Sequence, residues 1–213
     1  MQVTLVYDNE VWQEGLQADW GFACLVEVGD RKILFDTGAQ SSILYHNLEK
    51  LNLDPHTIPE VFISHGHWDH IGGLADLLKL NPAIKVYLPH SCRVPPGAAQ
   101  VVRIQDPYQL QENIFSTGEL QGNEQSLVVQ TGGGLVVICG CSHPGGGTIL
   151  QAASKHGKVS ALIGGLHGFK EFDLLGDLKL ICPCHCTQHI PTIMQLYPET
   201  AVPGGAGKVL VIE

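Results

Sequence analysis

The stretch EVFISHGHWDHIGGL, residues 60–74, constrains the fold and the chemistry more than any other part of the sequence. It places three histidines and an aspartate within six positions, directly after a strand-like apolar run: His65, His67, Asp69 and His70. Imidazole nitrogens and carboxylate oxygens suit zinc, iron and manganese. His65 and His67, two positions apart in extended backbone, are predicted to point the same way, whereas the adjacent Asp69 and His70 point differently and are available to a second ion.

Three further histidines follow apolar runs that are predicted to be buried strands. They are His143 in LVVICGCSHPGGG, His167 in ALIGGLHGF and His185 in LKLICPCHC. Each of them, taken alone, is also compatible with a hydrogen-bonded core histidine. Because strand ends meet on one rim in a layered α/β protein, we expect the three to join the cluster at residues 65–70.

The order of apolar runs and turns predicts the same pattern twice, a β-hairpin followed by βαβ-like units. Ser41 or Ser42 is expected to cap the first helix, and a second hairpin is predicted in SLVVQTGGGLVVICG. Residues 91–126 give no clear pattern. Two sheets with helices outside them fit best, as a layered α/β sandwich that forms a single domain over residues 1–213.

Composition narrows the classes of function. The 213 residues carry a formal charge of −9 and no basic cluster, which argues against a nucleic-acid partner. No apolar run approaches the ~20 residues of a membrane span, and the N-terminus lacks the features of a signal peptide. We therefore expect a cytoplasmic protein with reduced thiols that binds a small molecule and no membrane, and we leave a homo-oligomer open.

A spaced set of residues runs through the chain: His65-x-His67-x-Asp69-His70, the later His143 and His185, and the upstream segment Phe35-Asp36-Thr37-Gly38. With this set the chain resembles the metallo-β-lactamase-fold hydrolases over nearly its whole length. The segments GCSHPG and PCHCT are most similar to one branch, the dihydropterin-methyl-ribofuranosylaminobenzene-phosphate synthases of archaea and their bacterial relatives.

The resemblance implies a four-layer αβ/βα metallo-β-lactamase sandwich with a dinuclear site. It assigns His65, His67 and His143 to a first metal, and Asp69, His70 and His185 to a second. A hydroxide between the two ions would be the nucleophile, Asp36 would orient a ligand histidine, and Asp69 and His167 are the candidate catalytic residues. We expect two divalent ions, zinc first, with manganese or iron as alternatives.

The sequence departs from the superfamily at the aspartate that usually bridges the two metals. The strand VSALIGG leads instead to Leu166-His167. A neutral imidazole has one free lone pair and cannot bridge two ions. His167 is predicted to bind one metal terminally or to contact a substrate phosphate, and one metal position is expected to be weaker. Asp173 and Asp177 lie too far along the chain to replace the aspartate comfortably.

Two interpretations are open for the cysteines, and two for one glycine run. The thiols of the C-x-C pairs either pack in the core or lie near the metals; Cys141 is expected to lie closest, while strand alternation predicts that Cys184 and Cys186 point away from the direction of His185. The run Gly145, Gly146 and Gly147 precedes a predicted helix and is either a phosphate cradle or a flexible turn.

Four hypotheses of function follow. The first is a metal-dependent hydrolase acting on a small phosphorylated or cyclic ester. The second is a pterin-phosphate condensing synthase of methanopterin-type cofactor synthesis. The third is an iron-dependent oxidoreductase on the same fold, and the fourth is a metal-binding sensor without catalysis.

Overall fold

The computed structural model describes residues 1–213. The strands are β1 (Gln2–Tyr7), β2 (Ala23–Val28), β3 (Arg31–Phe35), β4 (Glu60–Phe62), β5 (Lys85–Pro89), β6 (Gln100–Ile104), β7 (Tyr108–Gln111), β8 (Ile114–Ser116), β9 (Leu127–Thr131), β10 (Gly134–Cys139), β11 (Val159–Gly165), β12 (Leu180–Cys184) and β13 (Val209–Val211). The helices are α1 (Ser41–Lys50), α2 (Trp68–Ile71), α3 (Leu74–Leu80), α4 (Gly146–Ala153) and α5 (Ile190–Leu196). Short 3-10 helices span Pro55–Thr57, Ser154–His156 and Phe172–Leu175.

The strands form two sheets that repeat one design. The first has the order β13-β1-β2-β3-β4-β5-β6, and the second has the order β12-β11-β10-β9-β8-β7. In the first sheet β13 to β3 pair antiparallel and β3 to β6 pair parallel. In the second, β10 to β12 are parallel and β7 to β10 are antiparallel. The predicted alternation of hairpins and βαβ units is confirmed in both halves.

Three apolar clusters separate the layers. The central cluster joins inward-facing side chains of both sheets, such as Phe35 and Phe62 from the first and Ile138 and Ile163 from the second. A second cluster lies between the first sheet and helices α1 and α3. The third lies between the second sheet and helices α4 and α5. The four-layer αβ/βα sandwich predicted from the sequence is therefore confirmed.

Two local predictions were wrong. Gln40, not Ser41 or Ser42, precedes helix α1, and the Ser41 hydroxyl instead donates to Asp76. Helix α4 begins at Gly146, so the glycine run enters the helix rather than preceding it. Residues 91–126, for which the sequence gives no clear pattern, contain strands β6 to β8. These strands are short or largely exposed, so their apolar pattern is weak.

The parallel strands bring the functional loops to one edge of the sandwich. Residues that follow β3, β4, β10, β11 and β12 lie at carboxyl ends of strands, where open α/β sheets place their sites. Four non-glycine residues in these loops have left-handed backbone, with φ between 46° and 61°: Asp36, Ser142, His167 and His185. Left-handed backbone ends the strand alternation and turns the next side chains in new directions. No helix is long and apolar enough to cross a bilayer.

Candidate metal centre

One group of side chains at this edge consists of His65, His67 and His143. Nε2 of His65 lies 3.0 Å from Nδ1 of His67, and Nε2 of His143 lies 3.2 Å from the same Nδ1 atom. Two nitrogens that bind one tetrahedral zinc at ~2.0–2.1 Å lie roughly 3.3 Å apart. His65 is buried, His143 is partly buried and His67 is exposed. The three nitrogens therefore face one point that is open to solvent on the His67 side.

A second group consists of Asp69, His70 and His185, all of them buried. Oδ2 of Asp69 lies 3.5 Å from Nε2 of His185 and 3.8 Å from Nε2 of His70. Nε2 of His185 is inaccessible to solvent and has no hydrogen-bond partner. An unpaired buried nitrogen costs free energy, and a metal ion at this point would satisfy it.

Hydrogen bonds around Ser64 and Asp36 fix the orientation of the His65 and His70 rings. Oδ2 of Asp36 accepts from Nδ1 of His70 at 2.7 Å and from the Ser64 hydroxyl at 2.6 Å, and Oδ1 accepts from the Ser64 amide. Since the Ser64 hydroxyl gives its one proton to Asp36, it accepts from Nδ1 of His65, 2.9 Å away. Both histidines are thus held with Nε2 free to bind a metal. Asp36 lies where it was expected to orient a ligand.

Asn9 and Trp20 support the second group from the opposite side. Oδ1 of Asn9 accepts from the Gly21 amide and from Nδ1 of His185, 3.0 Å away, so Nε2 of His185 again carries the free lone pair. Nε1 of Trp20 donates to Oδ2 of Asp69 at 2.9 Å. Neither residue was predicted from the sequence. The only signal for Asn9 is its position directly after the first strand, and Trp20 carries none.

The loop after β10 is held by a single buried carboxylate. Oε1 of Glu124 accepts from the amides of Gly140, Cys141 and Ser142, and Oε2 accepts from the amide of His143 at 2.9 Å. Burial raises the pKa of Glu124 to about 7, against the effect of these hydrogen bonds. A side chain at Gly140 would lie 2.2 Å from the Ser64 hydroxyl, so glycine lets this loop pack directly against the strand end that carries His65.

Burial and neighbouring rings favour the neutral form of three of these histidines. Burial is the main cause that lowers the pKa of His65, His70 and His143. For Asp69, burial acts to raise the pKa, but the nearby His185 ring and the adjacent His70 outweigh it and lower the pKa. Neutral imidazoles and an ionised carboxylate are the protonation states in which these groups bind metals.

His167 lies outside both groups. Its ring is exposed and its centroid lies 5.2 Å from that of His143. Asp173 and Asp177 also lie outside every group of ligand atoms at this edge. Nothing in the structure puts a carboxylate in the position of the usual bridging aspartate.

Close packing explains why glycine occupies positions 146 and 147. A side chain at Gly146 would lie 2.6 Å from the ring of Phe169, and one at Gly147 would lie 2.9 Å from the carboxylate of Glu171. A carboxylate beside the start of helix α4 opposes an anion there. Phosphate binding by Gly145, Gly146 and Gly147 stays a prediction.

The cysteines divide between the core and the site. Cys182 and Cys184 belong to the central core cluster, and Cys139 belongs to the outer cluster of the second sheet. The prediction that Cys186 points away from His185 was wrong, because its sulfur, that of Cys141 and a ring nitrogen of His185 all lie within 4.8 Å of one another. Strand β12 ends at Cys184 and His185 is left-handed, so alternation does not extend to Cys186.

Two cavities flank the contact between His67 and His143. One, of about 760 Å³, is mostly apolar and is lined by His67, Ile71, Leu88 and Arg93, among others. The other, of about 370 Å³, is lined by His143, His167 and Lys170. Ligand sites of small molecules have volumes in this range. A ligand at the first group could therefore extend to either side.

Known proteins are similar to this chain over much of its length. A family model of the metallo-beta-lactamase superfamily matches residues 21–154. The 7,8-dihydropterin-6-methyl-4-(beta-D-ribofuranosyl)-aminobenzene-5'-phosphate synthase of Methanocaldococcus jannaschii is 26% identical, with 86% of each chain covered. A hydroxyacylglutathione hydrolase of Citrobacter koseri is 30% identical over 73% of this chain and 57% of its own. The crystal structure of a metal-dependent hydrolase of the beta-lactamase superfamily is 25% identical, with a TM-score of 0.77 and coverage of 100% and 99%.

Proposed function

Because the chain belongs to the metallo-beta-lactamase superfamily, we propose that it is a metal-dependent hydrolase of a small phosphorylated or cyclic ester. The observation that carries this proposal is the pair of three-ligand groups at one rim, one of which opens onto a cavity. The superfamily implies divalent metal binding, and the imidazole and carboxylate donors suit it. We propose two ions, with zinc as the expected metal.

The roles of the residues follow from their surroundings. His65, His67 and His143 would hold the first ion, and Asp69, His70 and His185 the second. When bound, such ions lower the pKa of water toward ~7 and polarise a phosphoryl or carbonyl oxygen. The ionised carboxylate of Asp69 is available to bind metal and to accept a proton. The exposed His67 leaves the first group open to a substrate.

The cavities suggest the kind of substrate. The larger one combines an apolar wall with one cation, Arg93, and the smaller one presents Lys170 and His167. Arg93 and the apolar wall of the larger cavity suit a small ester with an anionic group, whereas in the smaller cavity Glu171 lies beside Lys170. His167 is proposed to contact that group rather than a metal.

A panel of small esters tests the proposal. Protein loaded with two equivalents of zinc is assayed on an aryl phosphodiester, a phosphomonoester, a cyclic ester and a thioester. We expect turnover of at least one ester, its loss in His67→Ala and in His185→Ala, and its retention in Trp68→Phe, since Trp68 is 64% exposed and makes no hydrogen bond. Fully metal-loaded protein without turnover on any ester would overturn the proposal.

The second candidate is the synthase reaction. The similarity to the Methanocaldococcus jannaschii synthase over 86% of both chains favours it, and two cavities beside one metal position suit two substrates. The test is incubation with a dihydropterin donor and a ribofuranosylaminobenzene 5'-phosphate. A joined product would favour the synthase, whereas ester hydrolysis without a joined product would favour the hydrolase. The redox and sensor hypotheses stay predictions.

A further inference from the structure

Cys141 occupies a position that the proposed function does not use. Its sulfur lies within 4.8 Å of ring nitrogens of His65 and His70 in one group of potential ligands, and of His185 and the Cys186 sulfur in another. His65 belongs to the first proposed metal position, and His70 and His185 belong to the second. Cys141 thus faces both positions at once.

The contact with His70 has the geometry of two ligands on one ion. The Cys141 sulfur lies 3.2 Å from Nε2 of His70. A sulfur at ~2.3 Å and a nitrogen at ~2.0–2.1 Å from one tetrahedral zinc would lie roughly 3.5 Å apart. Nδ1 of His70 is already bonded to Asp36, so Nε2 faces the sulfur with its lone pair. Both atoms are therefore placed to donate to the same cation.

The loop that carries Cys141 is built to hold it there. The Glu124 carboxylate binds the amide of Cys141 together with the amides on either side. Gly140 brings the loop against Ser64, next to His65. Cys141 and the proposed ligand His143 are thus fixed on the same short segment, and Cys141 is buried at 4% exposure.

We propose that the thiolate of Cys141 is a ligand shared by the two metal positions, in the place of the missing aspartate. This inference rests on the metal site of the proposed function. A thiolate sulfur carries several lone pairs, so it can donate to two ions, which the imidazole of His167 cannot. The thiol proton is released when the metals bind.

X-ray absorption of the protein loaded with two zinc ions tests the proposal. A zinc–sulfur shell at ~2.3 Å is distinct from nitrogen and oxygen at ~2.0–2.2 Å. One sulfur shared by two ions gives about one sulfur per zinc, whereas a terminal cysteine on one ion gives about half a sulfur per zinc. We expect about one sulfur per zinc in the wild type and loss of the shell in Cys141→Ser.

The matched control is Cys139→Ser, because Cys139 lies on the same strand end but its sulfur contacts carbonyls of the sheet. It should keep the sulfur shell. About half a sulfur per zinc in the wild type, or only nitrogen and oxygen, would overturn the shared ligand and leave the proposed hydrolase intact. A shell that survives Cys141→Ser and disappears in Cys186→Ser would reassign the ligand and overturn the proposal. Failure to bind zinc at all would instead overturn the proposed function.

Discussion

The two groups of proposed metal ligands differ in how firmly the protein holds them. In the second group each ligand has its own partner: His70 bonds to Asp36, His185 to Asn9 and Asp69 to Trp20. In the first group the outer ring nitrogens of His67 and His143 have no hydrogen bond within the protein, and His67 is exposed. The buried group is therefore preorganised, while the open group is the one that can adjust to a substrate.

The largest expected difference is in stability. His70→Ala leaves the buried Asp36 without its ring partner and should lower the free energy of unfolding by about 3 kcal/mol. His67→Ala removes an exposed ring and should change it by less than about 0.5 kcal/mol. Urea denaturation of the metal-free variants measures both. Equal losses would show that the two groups are held alike.

Glu124→Gln tests the support that the first group receives through the backbone. The amide places an NH₂ donor among four backbone N–H donors, and we expect a loss of about 2 kcal/mol in the free energy of unfolding. The affinity of the first metal position should fall as well, because the loop carries His143. Glu49→Gln, on the exposed surface of helix α1, is the control and should match the wild type.

Asp36→Asn acts directly on the second group, through His70, and reaches His65 of the first group only through the Ser64 hydroxyl. Replacing a carboxylate that orients a ligand histidine typically lowers metal affinity about 10- to 100-fold. We expect that loss for the second ion and a smaller loss for the first, as measured by competition with a chromophoric chelator. Asp76→Asn, at an exposed carboxylate that binds Ser41, should leave both affinities unchanged. Equal losses at both ions would show that Asp36 supports the two groups alike.

Trp20→Phe is expected to have the smallest effect. It keeps the ring and removes only the hydrogen bond to Asp69, which contributes about 1 kcal/mol, or roughly fivefold in affinity for the second ion. The same titration of Trp68→Phe, another exposed tryptophan at this edge, should show no change. An effect of equal size in both variants would mean that the loss of affinity does not come from the hydrogen bond to Asp69.

Most of the architecture can be predicted from the sequence, because the patterns that encode it lie within short segments of the chain. The hairpins and βαβ units are encoded in adjacent apolar runs and turns, and the four residues of the ligand loop lie within six positions. The convergence of His143 and His185 on that loop follows from the parallel strands that precede them. These features need no knowledge of distant contacts.

The parts that sequence analysis missed depend on contacts between distant segments. Glu124 lies in a segment without a clear pattern, and its function exists only where that segment meets the loop after β10. Asn9 is 176 residues from His185. Cys186 was placed on the wrong side because a left-handed residue interrupts the strand alternation, and a histidine in that conformation gives no signal in the sequence.

The left-handed residues at the rim restrict which substitutions the protein can accept there. Asp36, Ser142, His167 and His185 each adopt a backbone that glycine adopts without strain and that other residues hold at a cost of the order of 1 kcal/mol. Glycine would relieve this backbone strain at all four positions, and at three of them, Asp36, His167 and His185, it would remove a side chain to which a role is proposed. At those three positions an unstrained backbone and the proposed chemistry therefore require different residues.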